Sequence, residues 1–137
     1  MSEPSLAAQR RAVIAMRSHG PLAALVPPLQ IFDRNQRPEV FPCVIIGEAQ
    51  TVGDDAQCVE ASEVYLTIHV WTKEDGMVAC KSIAGEIRRA LRNLTAKQDG
   101  LDLSFSFDDA RFMRDPGGEL SHGVVTMRVQ AWELMGL

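Results

Sequence analysis

The chain has 137 residues, of which 46% are apolar, and 14 basic and 18 acidic side chains give it a net charge of −4. This length predicts one domain over residues 1–137, with a core large enough to fold without disulfides or a metal. The apolar fraction excludes a disordered protein. The negative net charge argues against a protein that binds nucleic acid over its whole surface.

The three cysteines do not form a disulfide framework. Cys43, Cys58 and Cys80 are odd in number and widely spaced. Cys43 and Cys80 lie inside apolar patterns, so we expect them to be reduced core residues. The N-terminus lacks the apolar segment of a signal peptide, and no stretch approaches the roughly 20 apolar residues of a membrane span. We therefore expect folding in a reducing cytoplasm.

The first third of the chain predicts a helix and two strands. Residues 5–19 form the helix, which Gly20 and Pro21 end, and residues 22–26 form a short helical turn. The expected apolar stripe of the helix consists of Leu6, Ala12, Val13, Ala15 and Met16. Residues 29–33 are a short edge strand. Residues 43–47 are apolar on both faces, as is typical of a strand buried on both sides.

Residues 48–61 are polar and contain Gly53, Asp54 and Asp55. They form either a loop or the protruding tip of a hairpin. Adjacent strands need a connection of only a few residues, so the extra length indicates a functional arm or a surface loop.

The clearest pattern is a strand followed by a helix. Residues 64–71 alternate between two faces, and residues 80–94 then carry apolar side chains at three- and four-residue steps. Glu74 and Asp75 lie where the helix dipole favours anions, and either Thr72 or Asp75 is expected to be the N-cap.

The last third predicts antiparallel strands. Residues 95–100 are predicted to form a polar turn. Residues 101–108 alternate between apolar and polar side chains, which predicts a strand with one buried and one solvent-exposed face, and residues 111–114 continue this strand or pair beside it. A turn at residues 115–118 leads to a last strand at residues 123–132. The order of elements predicts an α+β fold, an antiparallel sheet with two helices packed on one face.

No catalytic or metal-binding motif is present. His19, His69 and His122 lack metal-ligand spacing, and adjacent carboxylates such as Asp108 and Asp109 point to opposite faces of a strand or into solvent. No nucleophile is paired with a base. We therefore predict a non-enzymatic protein without cofactor or metal.

Two aromatic residues and a basic helix face have alternative interpretations. Trp71 and Trp132 end their strands and cap the core, which we favour, or anchor an interface. Arg88, Arg89 and Arg92 form a solvated helix face or, as the less favoured alternative, a partner surface.

The order of these features resembles the tail-completion proteins of tailed phages, the head–tail joining or tail-terminator family. The resemblance covers nearly the whole chain, and the matching segments are residues 22–26, 29–33, 41–47, 66–72, 74–76, 83–91, 115–119, 122–125 and 129–133. The Arg- and Ala-rich composition is similar to the versions found in gene transfer agents, which are phage-like particles.

This resemblance implies a structural virion protein that is assembled in the bacterial cytoplasm and located in the tail. It implies a ring, typically a homohexamer, at the head-proximal end of the tail tube, where it ends tube growth and joins the tail to the head. The implied partners are other copies of the chain, the major tail tube protein and a head-side stopper or connector protein, and DNA passes through the ring without specific binding. The interface candidates are Gly53, Asp54, Asp55, Gln57, Val59, Arg88, Arg92, Asp115 and Glu119.

The residues leave three alternatives open. One is a head-side connector or stopper-type adaptor. Another is a small α+β dimeric enzyme, which would show clustered, perturbed Asp or His side chains in a deep cleft. The third is a binding module, which would expose one large apolar patch.

Overall fold

The computed structural model describes residues 2–34, 38–53 and 60–133. In chain order its elements are α1 (Pro4–Ser18), α2 (Gly20–Ala23), a 3-10 turn (Pro28–Gln30), β1 (Ile31–Phe32), β2 (Cys43–Gly53), β3 (Ala61–Lys73), α3 (Val78–Leu91), β4 (Thr95–Gln98), β5 (Leu101–Arg114) and β6 (Leu120–Glu133). The predicted α+β fold is confirmed.

The strands form one six-stranded sheet in the order β1-β2-β3-β6-β5-β4. Four of its five pairs are antiparallel. The exception is β1, which pairs with β2 in parallel at Ile31 and Val44. The predicted edge strand therefore exists, but it is shorter than expected and breaks the antiparallel pattern.

The predicted alternation gives the sheet two different faces. In β3, Val64, Leu66, Ile68 and Val70 are buried, and in β6 their neighbours Val125, Met127 and Val129 are buried as well. Both long helices, α1 and α3, pack on this side of the sheet, as predicted. The opposite side is called the helix-free face below.

The two helices bury different kinds of side chain. The stripe on α3 is buried as predicted, through Cys80, Ile83, Ala84, Ile87 and Leu91. On α1 the buried residues are Ala7, Ala8, Ala12 and Met16, whereas Leu6 is 36% exposed. The assignment of Leu6 to the stripe was wrong, because α1 lies so close to the core that alanines fill the contact.

The start of α3 corrects the predicted N-cap. Met77 is the residue before the helix, and neither Thr72 nor Asp75 caps it. Instead the Glu74 carboxylate accepts hydrogen bonds from the backbone N–H groups of Ala79 (3.1 Å) and Cys80 (3.0 Å). The Glu74 side chain thus satisfies N–H groups of the first helical turn from three residues before Met77.

The predicted polar turn at residues 95–100 is instead a strand and a tight hairpin. Residues 95–98 form β4, which pairs with residues 101–104 of β5. Asp99 (φ 53°) and Gly100 (φ 83°) make the two-residue connection. Asp-Gly favours this left-handed turn, and the polar β4 lies at the sheet edge, where strong alternation is not required.

Residues 48–53 are strand and not loop. They continue β2, and residues 49–53 pair with residues 62–66 of β3 after a shift of register between Ile46 and Ala49. Of the two alternatives for residues 48–61, the hairpin is the one observed up to Gly53 and from Ala61. Asp54, Asp55, Gln57 and Val59 lie outside the described residues.

Cys43 and Cys80 are buried and free, as predicted, and Cys58 lies outside the described residues. Among the helices of the described ranges, none is long and apolar enough to cross a membrane.

Candidate functional site: the helix-free face and the hairpin ends

The helix-free face carries a row of four side chains that crosses three strands. Glu48 of β2 lies beside His69 of β3, His69 beside His122 of β6, and His122 beneath Trp71 of β3. The distances are 2.7 Å from His69 Nε2 to Glu48 Oε1 and 2.8 Å from His69 Nδ1 to His122 Nε2. The Trp71 and His122 rings stack at 3.9 Å with an interplanar angle of 8°.

The fold creates this row through register. His69 pairs with Val124 and Trp71 pairs with His122, so the two histidines occupy neighbouring positions on one face. Gly47 completes the arrangement, because a Cβ atom there would lie 2.4 Å from the His69 ring. Only glycine leaves room for the ring at this position.

The hydrogen bonds restrict how many protons the row holds. A carboxylate only accepts, so Nε2 of His69 carries a proton. Between the two rings one nitrogen donates and the other accepts, and charging both rings would place two N–H groups against each other. Burial, and next the nearby His69, lower the pKa of His122 to about 4. The hydrogen bond from His69 lowers the pKa of Glu48.

This row has the character of a structural network. Both ring nitrogens of His69 are occupied, and no hydroxyl or thiol bonds to either histidine in the described residues. In the same ranges no three His, Cys, Asp or Glu residues converge to hold a metal. The arrangement fixes β2, β3 and β6 relative to one another.

The row makes stability depend on pH. An unfolded His122 has a pKa near 6.5 and the folded one about 4, so the folded state binds fewer protons between these values. Stability is complete above about pH 6.5 and falls as the pH drops towards 4. The loss should be on the order of 2 kcal/mol, less than for a fully buried group.

Denaturant titrations between pH 7 and 4 check this expectation. His122→Phe keeps a ring against Trp71 but does not titrate, so its stability should fall less with pH. His19→Gln is the matched control, because His19 contacts Glu86 on a different surface, at 3.1 Å. An unchanged pH dependence in His122→Phe would contradict this account.

A second polar cluster lies further along the same face. The Arg128 guanidinium pairs with the Glu63 carboxylate, which also accepts a hydrogen bond from Tyr65 at 2.9 Å. Hydrogen bonds from Tyr65 and Arg128 lower the pKa of Glu63. This cluster links β3 to β6, because Tyr65 and Arg128 lie on paired positions of the two strands.

The comparisons with known proteins agree with this architecture. The family model described as tail completion protein gp17 matches residues 12–131. The chain belongs to this family. It is a structural tail-completion protein that joins tail to head, located in the tail of a phage or phage-like particle. It therefore associates with other tail and head proteins.

Two solved structures show the same fold. A chain in the virion of a native gene transfer agent particle is 19% identical, with a TM-score of 0.85 over 96% of this chain and 99% of that chain. The gp17 protein of bacteriophage SPP1 is 20% identical, with a TM-score of 0.57 over 92% of this chain and 89% of that chain. None of the curated proteins compared with the chain matches it in sequence.

Within this tail-completion fold, the predicted interface residues are dispersed. Gly53 ends β2, and Asp115 and Glu119 flank the turn between β5 and β6. Arg88 lies on α3 with its guanidinium 4.1 Å from the centre of the Phe107 ring, and Arg92 is exposed directly after the helix. The structure does not bring these residues into one cluster.

The core interpretation of the two tryptophans was wrong. Trp71 and Trp132 pair with β6 and β5 positions on the helix-free face, opposite both helices. Trp71 is half-buried against His122, and Trp132 is 36% exposed. No helix packs on that face within the described residues, so the two side chains have no core to cap there.

Sequence reasoning missed the Glu48–His69–His122 row. The two histidines are 53 residues apart, and no motif spacing connects them. The alternation of β3 and β6 places both on the face opposite the core. The sequence therefore indicated that both histidines lie on the same face of the sheet. Their contact could not be predicted, because it depends on the register between β3 and β6.

Proposed function

We propose that this tail-completion protein forms a homohexameric ring at the head-proximal end of the tail tube. There it stops tube growth and binds both the tube protein and a head-side stopper or connector. The observation that carries this proposal is the family match over residues 12–131. In our proposal residues 1–137 form the single ring-building unit.

The ring acts without catalysis in this proposal. Glu48, His69 and His122 on the helix-free face are engaged with one another, since both nitrogens of His69 already have partners. The family consists of structural tail proteins, which supports a role in assembly. The proposed activity is therefore binding, in which contact surfaces replace an active site.

DNA passes through the proposed ring without specific binding. The net charge of −4 supports this, because a channel that attracted phosphates would retain the DNA during passage. A net negative charge favours sliding of the DNA over adhesion.

Contact with a neighbouring copy or with the tube involves the hairpin arm, residues 48–61. Its first described stretch, residues 48–53, is exposed, and residues 49–53 pair with β3 and with no other described strand. We place Gly53, Asp54, Asp55, Gln57 and Val59 at this contact. Arg88, Arg92, Asp115 and Glu119 supply further contacts from α3 and from the β5–β6 turn.

Removing the chain from particle-producing cells tests the proposal. The cells should then contain heads and tails that are not joined, because the tail lacks its head-binding end. A wild-type copy supplied in trans should restore joined particles. Joined particles in the absence of the chain would refute the proposal.

A further inference from the structure

Two segments of the sheet have an uncovered outer edge. On one side β1 pairs with β2 only at Val44 and Ile45, so residues 47–53 have no outer neighbour among the described residues. On the other side β4 pairs only with residues 101–104, and the backbone bonds from residues 93–94 end at Phe105. Residues 107–114 are therefore also uncovered within the described ranges. These segments are called the open β2 edge and the open β5 edge.

The short outer strands are capped by α1 arginines. Arg17 donates a hydrogen bond to the Ile31 carbonyl of β1 at 2.6 Å, and Arg11 donates one to the Lys97 carbonyl of β4 at 3.2 Å. Across the described residues, no side chain donates to a backbone carbonyl of either open edge. Unpaired strand edges are templates for further pairing, and this chain protects its short outer strands while leaving the open edges free.

Burial along β5 changes where its outer neighbour ends. Phe105 is only 2% exposed, whereas Phe107, Ala110 and Phe112 are half-buried although they also pack on the core side. Residues 48–53 of the open β2 edge are exposed throughout. Both segments therefore have apolar or backbone surface that an additional strand would cover.

The charges beside the two edges are complementary on the helix side of the sheet. On the helix side, Lys81 and Arg88 lie over the Phe112 and Phe107 rings of the open β5 edge. On the same side of the open β2 edge, the Glu3 carboxylate bonds to Thr51 at 2.7 Å. On the helix-free face, Arg111 of the open β5 edge is already paired with Asp109 at 3.9 Å, and Glu48 of the open β2 edge is bonded to His69, so this face adds no charge complementarity.

Strand direction allows the two edges to meet in a ring. Three successive antiparallel pairs separate β2 from β5, so the two strands run in opposite directions. Rotation about an axis along the strands preserves direction. The open β5 edge of one copy would therefore meet the open β2 edge of the next copy as an antiparallel pair, which is a heterologous contact that closes into a ring.

We propose that a second copy of this chain occupies each open edge, so that β5 of one subunit pairs with residues 47–53 of the next subunit's β2. This inference rests on the proposed ring. It identifies the partner of the hairpin arm as the neighbouring subunit's β5, which supplies backbone hydrogen bonds of the strand-addition type.

Cysteine cross-linking in assembled particles tests the pairing, in a Cys58→Ser background. Gln50→Cys is combined in turn with Asp109→Cys, Arg111→Cys or Met113→Cys, which sample three registers on the helix-free face. In one register, mild oxidation should link most of the protein into dimers and larger species up to the closed ring. Each single variant should remain unlinked.

The control pair is Asp33→Cys with Lys97→Cys. Asp33 directly follows β1 and Lys97 lies in β4, the two capped outer strands, so this pair should not link. Links formed by a single β5 variant would show a two-fold contact and overturn the proposal. Normal, joined tails without links in any of the three registers would overturn the pairing and leave the proposed function intact. Particles whose tails lack the protein would refute the proposed function and the pairing together.

Discussion

Replacing Leu91 by alanine is expected to lower the free energy of unfolding by roughly 2–5 kcal/mol. Leu91 is fully buried at the end of the α3 stripe and belongs to the main core cluster, together with Ile87. Truncation removes apolar contacts and leaves a cavity between α3 and the sheet, which the surrounding strands cannot fill.

Denaturant unfolding of the purified protein measures this loss. Leu29→Ala is the matched control, because it makes the same chemical change at a side chain that is 81% exposed, and it should cost less than about 0.5 kcal/mol. A comparably small loss in Leu91→Ala would show that the α3 stripe does not face a core.

Shortening the hairpin arm should abolish correct particle assembly while leaving the subunit folded. The change replaces residues 53–59 by a two-residue turn. Loop length contributes little to stability, so the unfolding free energy should stay nearly constant. Tails made with the shortened protein should fail to end at the correct length or fail to join heads, as electron microscopy and particle yield would measure.

A variant with residues 54–59 replaced by Gly and Ser is the control for this experiment. It keeps the length of the connection and removes its side chains, so it separates reach from specific contacts. Normal particles and full infectivity or gene transfer with the shortened arm would contradict a role of the arm in assembly. Residues 54–59 would then serve only to connect β2 to β3.

The long central elements were predictable because a single period dominates each of them. Alternation in β3 and β6 assigned Val64 and Val129 to the core face and His69 to the other face. The three- and four-residue steps in α3 predicted the burial of Ile87 and Leu91. In these segments local pattern and tertiary packing agree.

The predictions failed where tertiary contacts, rather than local sequence patterns, determine which side chains are buried or in contact. Ala7 and Ala8 are buried in place of Leu6. The local periodicity of the sequence does not show how closely α1 approaches the sheet, so it could not predict this burial. Glu74 replaces the expected caps because a carboxylate reaches back from outside the helix. The contact of His69 with His122 depends on the register of two strands that are distant in sequence.

Tail length in particles from cells that lack this protein tests the central claim most directly. We predict a broad distribution that extends beyond the wild-type length, since no ring stops the addition of tube subunits, together with heads that carry no tail. The wild-type protein supplied in trans should restore one sharp length. Tails of uniform wild-type length, joined to heads without the protein, would contradict the account.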